Sequence, residues 1–238
     1  MDRTFALLSP ASDRTEAADS GLFLYQAEFA MTVGRHGQAD ELLGRPIQHH
    51  VDVSGTQQAW AIDPYLQRAL NLDMAGRFED AEQVLAAAPR LHLTREAMDS
   101  SIPRMLARIR IDRGDAHGAL AVLPVEGTDN PAGTPEFGYD DRLRGEILCQ
   151  LGEWEKGLRL IEDSVQREQA KYYEHHPDLA RAHAVAGLCA LSDGQRKRAE
   201  AFAARAHASF IAQPDVSPYF KDPLEKLDHL LESKVATR

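Results

Sequence analysis

The stretch Leu72-Asp73-Met74-Ala75-Gly76-Arg77-Phe78-Glu79-Asp80-Ala81-Glu82 carries an apolar helix end, a glycine, and a small residue five places on. The arrangement occurs five times. Its glycine belongs to the set Gly34, Gly76, Gly114, Gly152 and Gly194, spaced by 42, 38, 38 and 42 residues. Five positions after each stand Ala39, Ala81, Ala119, Gly157 and Ala199; seven before stand Ala27, Ala69, Ala107, Gly145 and Gly187. Small residues on both sides of a turn let two antiparallel helices approach closely. A period near 40 points to stacked helical pairs and away from a single globular core. The fold class is therefore all-α: a superhelical solenoid of about five hairpins, at least ten helices in all, turning at the five glycines, with no sheet.

Working outward, residues 1–17 are polar and broken by Pro10 and form a lead-in to the array. The array covers 18–212. Its first hairpin pairs a helix from about Leu22 to Val33 with one from about Gln38 to Leu43, stopped before Pro46, and a linker follows over 45–57. The segment 124–138 holds three prolines and three glycines and reads as a long loop, either a plain connector or a hinge between two subarrays. Asp63-Pro64, His176-Pro177 and Asp222-Pro223 each place a proline where a helix begins. The apolar positions Leu224, Leu227, Leu230 and Leu231 that follow the last of these mark a final amphipathic helix, so 213–238 is read as a C-terminal cap over the last apolar face.

Composition narrows the classes of partner. A formal charge of −10 with 43% hydrophobic residues describes an ordinary folded chain and argues against a nucleic-acid or anionic-membrane surface. No stretch approaches the roughly 18 apolar residues of a membrane span, and the N-terminus lacks a signal-peptide core. Cys149 and Cys189, the two cysteines, make no disulfide framework in a chain this long and read as buried, reduced thiols. The cytoplasm follows as the location.

The quoted stretch, together with Leu151-Gly152-Glu153-Trp154-Glu155-Lys156-Gly157 and Leu191-Ser192-Asp193-Gly194 through Ala199, resembles tetratricopeptide (TPR) repeats. His176-Pro177-Asp178-Leu179-Ala180 is similar to the link before a helix in the longer variants of kinesin light chains and bacterial regulators. The resemblance spans about residues 20–212. The repeats here are longer than the usual period of about 34 residues, and the expected aromatic eleven places before the glycine is present as Phe23 and Tyr65 but replaced by Pro103, Asp141 and His183. The resemblance implies a concave groove lined by the first helix of each pair, and a non-catalytic scaffold, a regulatory or assembly module, that binds a protein or peptide there. A receptor for a small peptide signal and an enzyme with a helical-repeat body are the alternatives.

Signatures of catalysis are missing from the sequence: there is no P-loop, GxGxxG, HExxH or nucleophile elbow. No cofactor or metal is expected. The pairs His49-His50 and His175-His176 lack a ligand spacing and read as solvated loop residues; His183 and His207 are expected to face each other across the fifth hairpin as ordinary packing. Arg104 and Arg108 are four apart and share a helix face, and Arg142 takes in the fourth repeat the place of Arg104 in the third. By the resemblance, all three line the groove and are the candidate ligand-binding residues, suited to an acidic peptide or terminal carboxylate. The competing reading pairs them with Asp112, Glu146 and neighbouring acids at the surface, where such pairs contribute little.

Overall fold

The computed structural model describes residues 16–52, 62–88, 95–123, 136–169 and 173–233. Among them are eleven helices and no strand: α1 Glu16–Thr32, α2 His36–Asp52, α3 Asp63–Met74, α4 Phe78–Ala87, α5 Arg95–Asp112, α6 Ala116–Val122, α7 Glu136–Gln150, α8 Trp154–Glu168, α9 Pro177–Ser192, α10 Arg196–Ala212 and α11 Pro218–Ser233. The first ten form five antiparallel hairpins, α1 with α2 through α9 with α10.

Each hairpin turns at one of the five glycines, all at φ between 72° and 92°, a region that residues with a Cβ rarely adopt. The glycine N–H and the one after it bond back to the preceding helix, as in Gly76 to Asp73 and Arg77 to Leu72, both 2.8 Å. The small residues pack where the period predicts. Ala27, Ala39, Ala69, Ala81, Ala107, Ala119 and Ala199 are wholly buried. In the fourth hairpin both small residues are glycines, and a Cβ on Gly157 would lie 2.6 Å from Cys149 Sγ and 2.7 Å from the Gly145 carbonyl oxygen. Leu43, Leu85, Leu123 and Ile161, on the second helices or at their ends, are buried as well.

Several expectations need correction. Helix α2 does not stop before Pro46 but continues to Asp52; Pro46 and Leu43 are both buried, and packing outweighs the one missing backbone donor. Positions 49 and 50 therefore fall within a helix and not in a linker. Of the segment 124–138, residues 124–135 lie outside the described residues, and 136–138 already belong to α7. Residues 1–15 of the lead-in are likewise outside them. The last helix starts at Pro218, five residues before Pro223, which sits inside it. Finally, Cys149 and Cys189 are joined in a disulfide, with Cα atoms 5.5 Å apart. The reason is positional: they stand on α7 and α9, the first helices of adjacent repeats, which run side by side.

The C-terminal helix does more than cover an end. Leu224 and Leu227 share one core with α8, α9 and α10, and Leu227 lies where a side chain on Gly187 would be. The residues before α11, however, run back to the first repeat. Ser217 N donates to Thr32 O at 2.7 Å, and a Cβ on the turn glycine Gly34 would lie 3.6–3.7 Å from Ser217 and Pro218. Met74 of α3 packs against both the first hairpin and the C-terminal core.

Candidate functional site

The first helices of the five hairpins converge on the start of α11. Helix α1 supplies the Thr32 carbonyl, α3 supplies Asp73, α5 supplies Arg108 and Asp112, α7 supplies Glu146 and α9 supplies Arg181. Tyr219 of α11 stands among them. Its hydroxyl accepts hydrogen bonds from Arg108 Nε at 2.9 Å and Nη2 at 2.7 Å, and donates to Asp112 Oδ2 at 3.0 Å. Arg108 Nη1 and Arg181 Nη1 both reach Glu146 Oε2, at 3.2 and 3.3 Å, while Arg181 Nη2 donates to Asp112 Oδ1 at 2.9 Å. The Arg181 guanidinium lies over the Tyr219 ring, 4.8 Å from its centroid. Two arginines thus meet two carboxylates and one phenol, out of water.

Such a cluster is stable only if each charge is answered, because an unpaired ion in a dry interior costs several kcal/mol. The answers set the protonation states. Burial pushes Asp112 up, but Arg108 and Arg181 outweigh it and hold its carboxyl below the usual range. Asp73 has no such support: neither oxygen receives a hydrogen bond from a nitrogen or hydroxyl donor. Burial, then the like charge of Asp112, push it up to about 8. Asp73 is consequently held as the acid at neutral pH and shares its proton with Asp112. With Asp73 neutral, Arg108 and Arg181 balance Asp112 and Glu146. Burial also raises Tyr219 well above its ordinary value, so the phenol stays protonated.

The three arginines singled out from the sequence are not brought together as an open strip. Arg108 is 3% and Arg142 is 4% exposed. Arg108 belongs to the central cluster; Arg142 Nη1 donates to Glu168 Oε2 at 2.7 Å, with Ser164 Oγ on the other oxygen at 3.2 Å. Arg104, half-buried, stands one turn before Arg108 on α5. Asp112 and Glu146 are indeed the partners of Arg108, but in the interior and not at the surface. For Arg108 the cause is that α11 begins beside it and excludes water; Arg142 is buried in its pairing with Glu168 of α8.

Sequence reasoning missed Arg181, Tyr219 and Asp73. One signal was available. Arg108 and Glu146 stand at the same place in successive repeats, six before the turn glycine, so opposite charges occupy neighbouring rungs of one face. The histidines play structural parts. His183 stacks on Phe202 with ring centroids 6.1 Å apart, and His207 bonds Asp228 at 3.1 Å instead of facing His183. Burial and then Arg205 lower His183 to about 4, keeping it neutral. His176 accepts from Asp178 N at 3.3 Å as the N-cap of α9.

No protein-family model and no curated protein sequence matches the chain. Solved structures do. A crystal structure from Podosopora anserina, titled as nearly identical TPR-like repeats of a putative kinesin light chain, superposes with a TM-score of 0.50 at 17% identity, over 82% of this chain and 98% of that one. A point variant of it gives 0.52, also at 17% identity, over 84% and 99%. At that identity the likeness concerns the fold, and the fold is a TPR-like solenoid of helical hairpins.

Proposed function

We propose that the chain is a non-catalytic scaffold that binds a segment of another protein along the face formed by its first helices. The observation that carries this reading is the convergence of all five first helices on one short segment, Val216–Phe220, where α11 begins. A backbone bond to Thr32, a buried phenol among ions, and buried apolar side chains at Val216 and Phe220 are the contacts a groove makes with a bound peptide. TPR-like neighbours support the same reading. Because Arg108 and Arg142 are already committed to carboxylates, we favour a protein segment of mixed character over a polyacidic peptide. The cytoplasmic assignment loses its cysteine argument, since a Cys149–Cys189 bridge fits an oxidising compartment better. No described helix is long and apolar enough to cross a membrane.

The test is photo-crosslinking in native lysate, with the reactive residue placed at position 104 on the inner face or at exposed position 197 on α10. Adducts formed from 104 and not from 197 are the expected result; the reverse pattern rejects the groove as the contact surface.

A further inference from the structure

We propose that the centre of the superhelix is a tyrosine-reading peptide site whose resident ligand is the chain's own Val216–Phe220 segment, which can be displaced by a tyrosine-bearing segment of a partner. The proposal deepens the groove-binding reading and rests on it.

The chemistry selects an unmodified tyrosine. The hydroxyl is used in both directions, accepting from Arg108 and donating to Asp112, so phenylalanine would leave the buried Arg108 donors short of an acceptor. A phosphotyrosine would add negative charge beside Asp112 and Glu146, which the two arginines already balance. The ring itself is sandwiched against Arg181, and Phe220 fills the adjoining apolar space at 6% exposure.

The connection to the rest of α11 allows release. Pro223 lies one turn after Tyr219 and has no N–H, so the Tyr219 carbonyl lacks its helical donor. The turn Pro218–Asp222 is thereby joined weakly to the remainder, which is independently anchored through Leu224 and Leu227 in the α8–α10 core. On the other side, residues 213–217 are not helical. Docking also leaves the Ser217 hydroxyl buried without a partner, a cost that is removed when the segment swings into water. The first turn can therefore leave the groove while α11 stays attached.

The experiment uses the 238-residue chain and a fluorescent peptide of residues 214–222, blocked at both ends. Tyr219→Ala empties the phenol site, so this variant should bind the peptide at least about tenfold more tightly than the parent chain. The same peptide with phenylalanine in place of its tyrosine should lose most of that gain. Equal binding to parent and variant, or equal binding of the two peptides, overturns the proposal. Should Tyr219→Ala fail to fold, hydrogen exchange on the parent chain decides: the Ser217 amide, bonded to Thr32 O, should exchange at least about tenfold faster than those of 225–230. Equal rates at 217 and 225–230 would mean the segment opens only with the rest of α11 and would overturn the displaceable segment. Competition separates the two readings. Tighter peptide binding by the variant, with a partner that crosslinks from 197 and not from 104, supports the tyrosine site and rejects the groove as that partner's surface.

Discussion

The seams inside the hairpins and the centre of the superhelix are packed by opposite means. Within a hairpin, Ala69 meets Ala81 and Gly145 meets Gly157, with small apolar residues and backbone in direct contact. At the centre, Arg108, Arg181, Asp112, Glu146, Asp73 and Tyr219 hold four first helices and α11 together through ions and one hydroxyl. Seams depend on what is missing from the side chain, and tolerate no additions. The centre depends on a complete set of partners, and tolerates no removals. Both are buried; only one could be replaced by hydrocarbon in principle.

The largest effect is expected at the centre. Arg181→Ala leaves Asp112 and Glu146 short of a buried cation and should cost about 3–5 kcal/mol in chemical denaturation; a loss under about 1 kcal/mol would mean water already reaches the cluster. Next comes the staple between repeats four and five. The cysteines are 40 residues apart, for which chain entropy gives a loss of up to about 4 kcal/mol on reduction. Thermal melts with and without reductant should differ for the parent chain and coincide for Cys189→Ser; an unchanged parent melt would show that the thiols are not joined. In the seams, Ala119→Leu should overpack the third hairpin at a cost of about 1–3 kcal/mol, and a neutral melt would show that this alanine does not face α5.

The last effect is a slope, small over any one pH unit, and it is the most diagnostic. Asp73 titrates near 3.8 when unfolded and at about 8 when folded, so folding takes up a proton between those values. Its contribution is fully present below about pH 4 and is lost as pH rises through 8, by up to about 1.4 kcal/mol per pH unit. Asp73→Asn should flatten that slope and leave the seams untouched. An identical pH profile for variant and parent would place Asp73 in water. His183, lowered to about 4 from 6.5, works in the other direction, removing stability as pH falls below 6.5.

The seams were legible in the sequence because they are local: both partners of each contact lie within twelve residues of each other and recur with the turn glycine. The centre was not, because its members come from repeats two to five and from α11, and nothing periodic announces Tyr219. Reading Asp222-Pro223 as a helix start discarded the very turn that carries it. Pro46, Pro103 and Pro223 all sit inside helices, where tertiary packing compensates a lost backbone donor that sequence rules treat as a stop. The arginines were found but their state was not, since Asp112 and Glu146 could pair with them equally well in water or in the interior. Burial, which sequence spacing does not reveal, separates those outcomes.

The hydrogen bond from Ser217 to Thr32 changes what kind of object the array is. An open stack of repeats behaves as a line of neighbours, each stabilised by the next, and it can fray from either end. Joining residue 217 to residue 32 turns the line into a circuit. The first hairpin, which in an open stack would have one neighbour, gains a second contact from the far end of the chain, and loss of either end weakens the other. Such closure trades independent melting of repeats for a single shared transition, and delays its own formation until nearly the whole chain has been ordered.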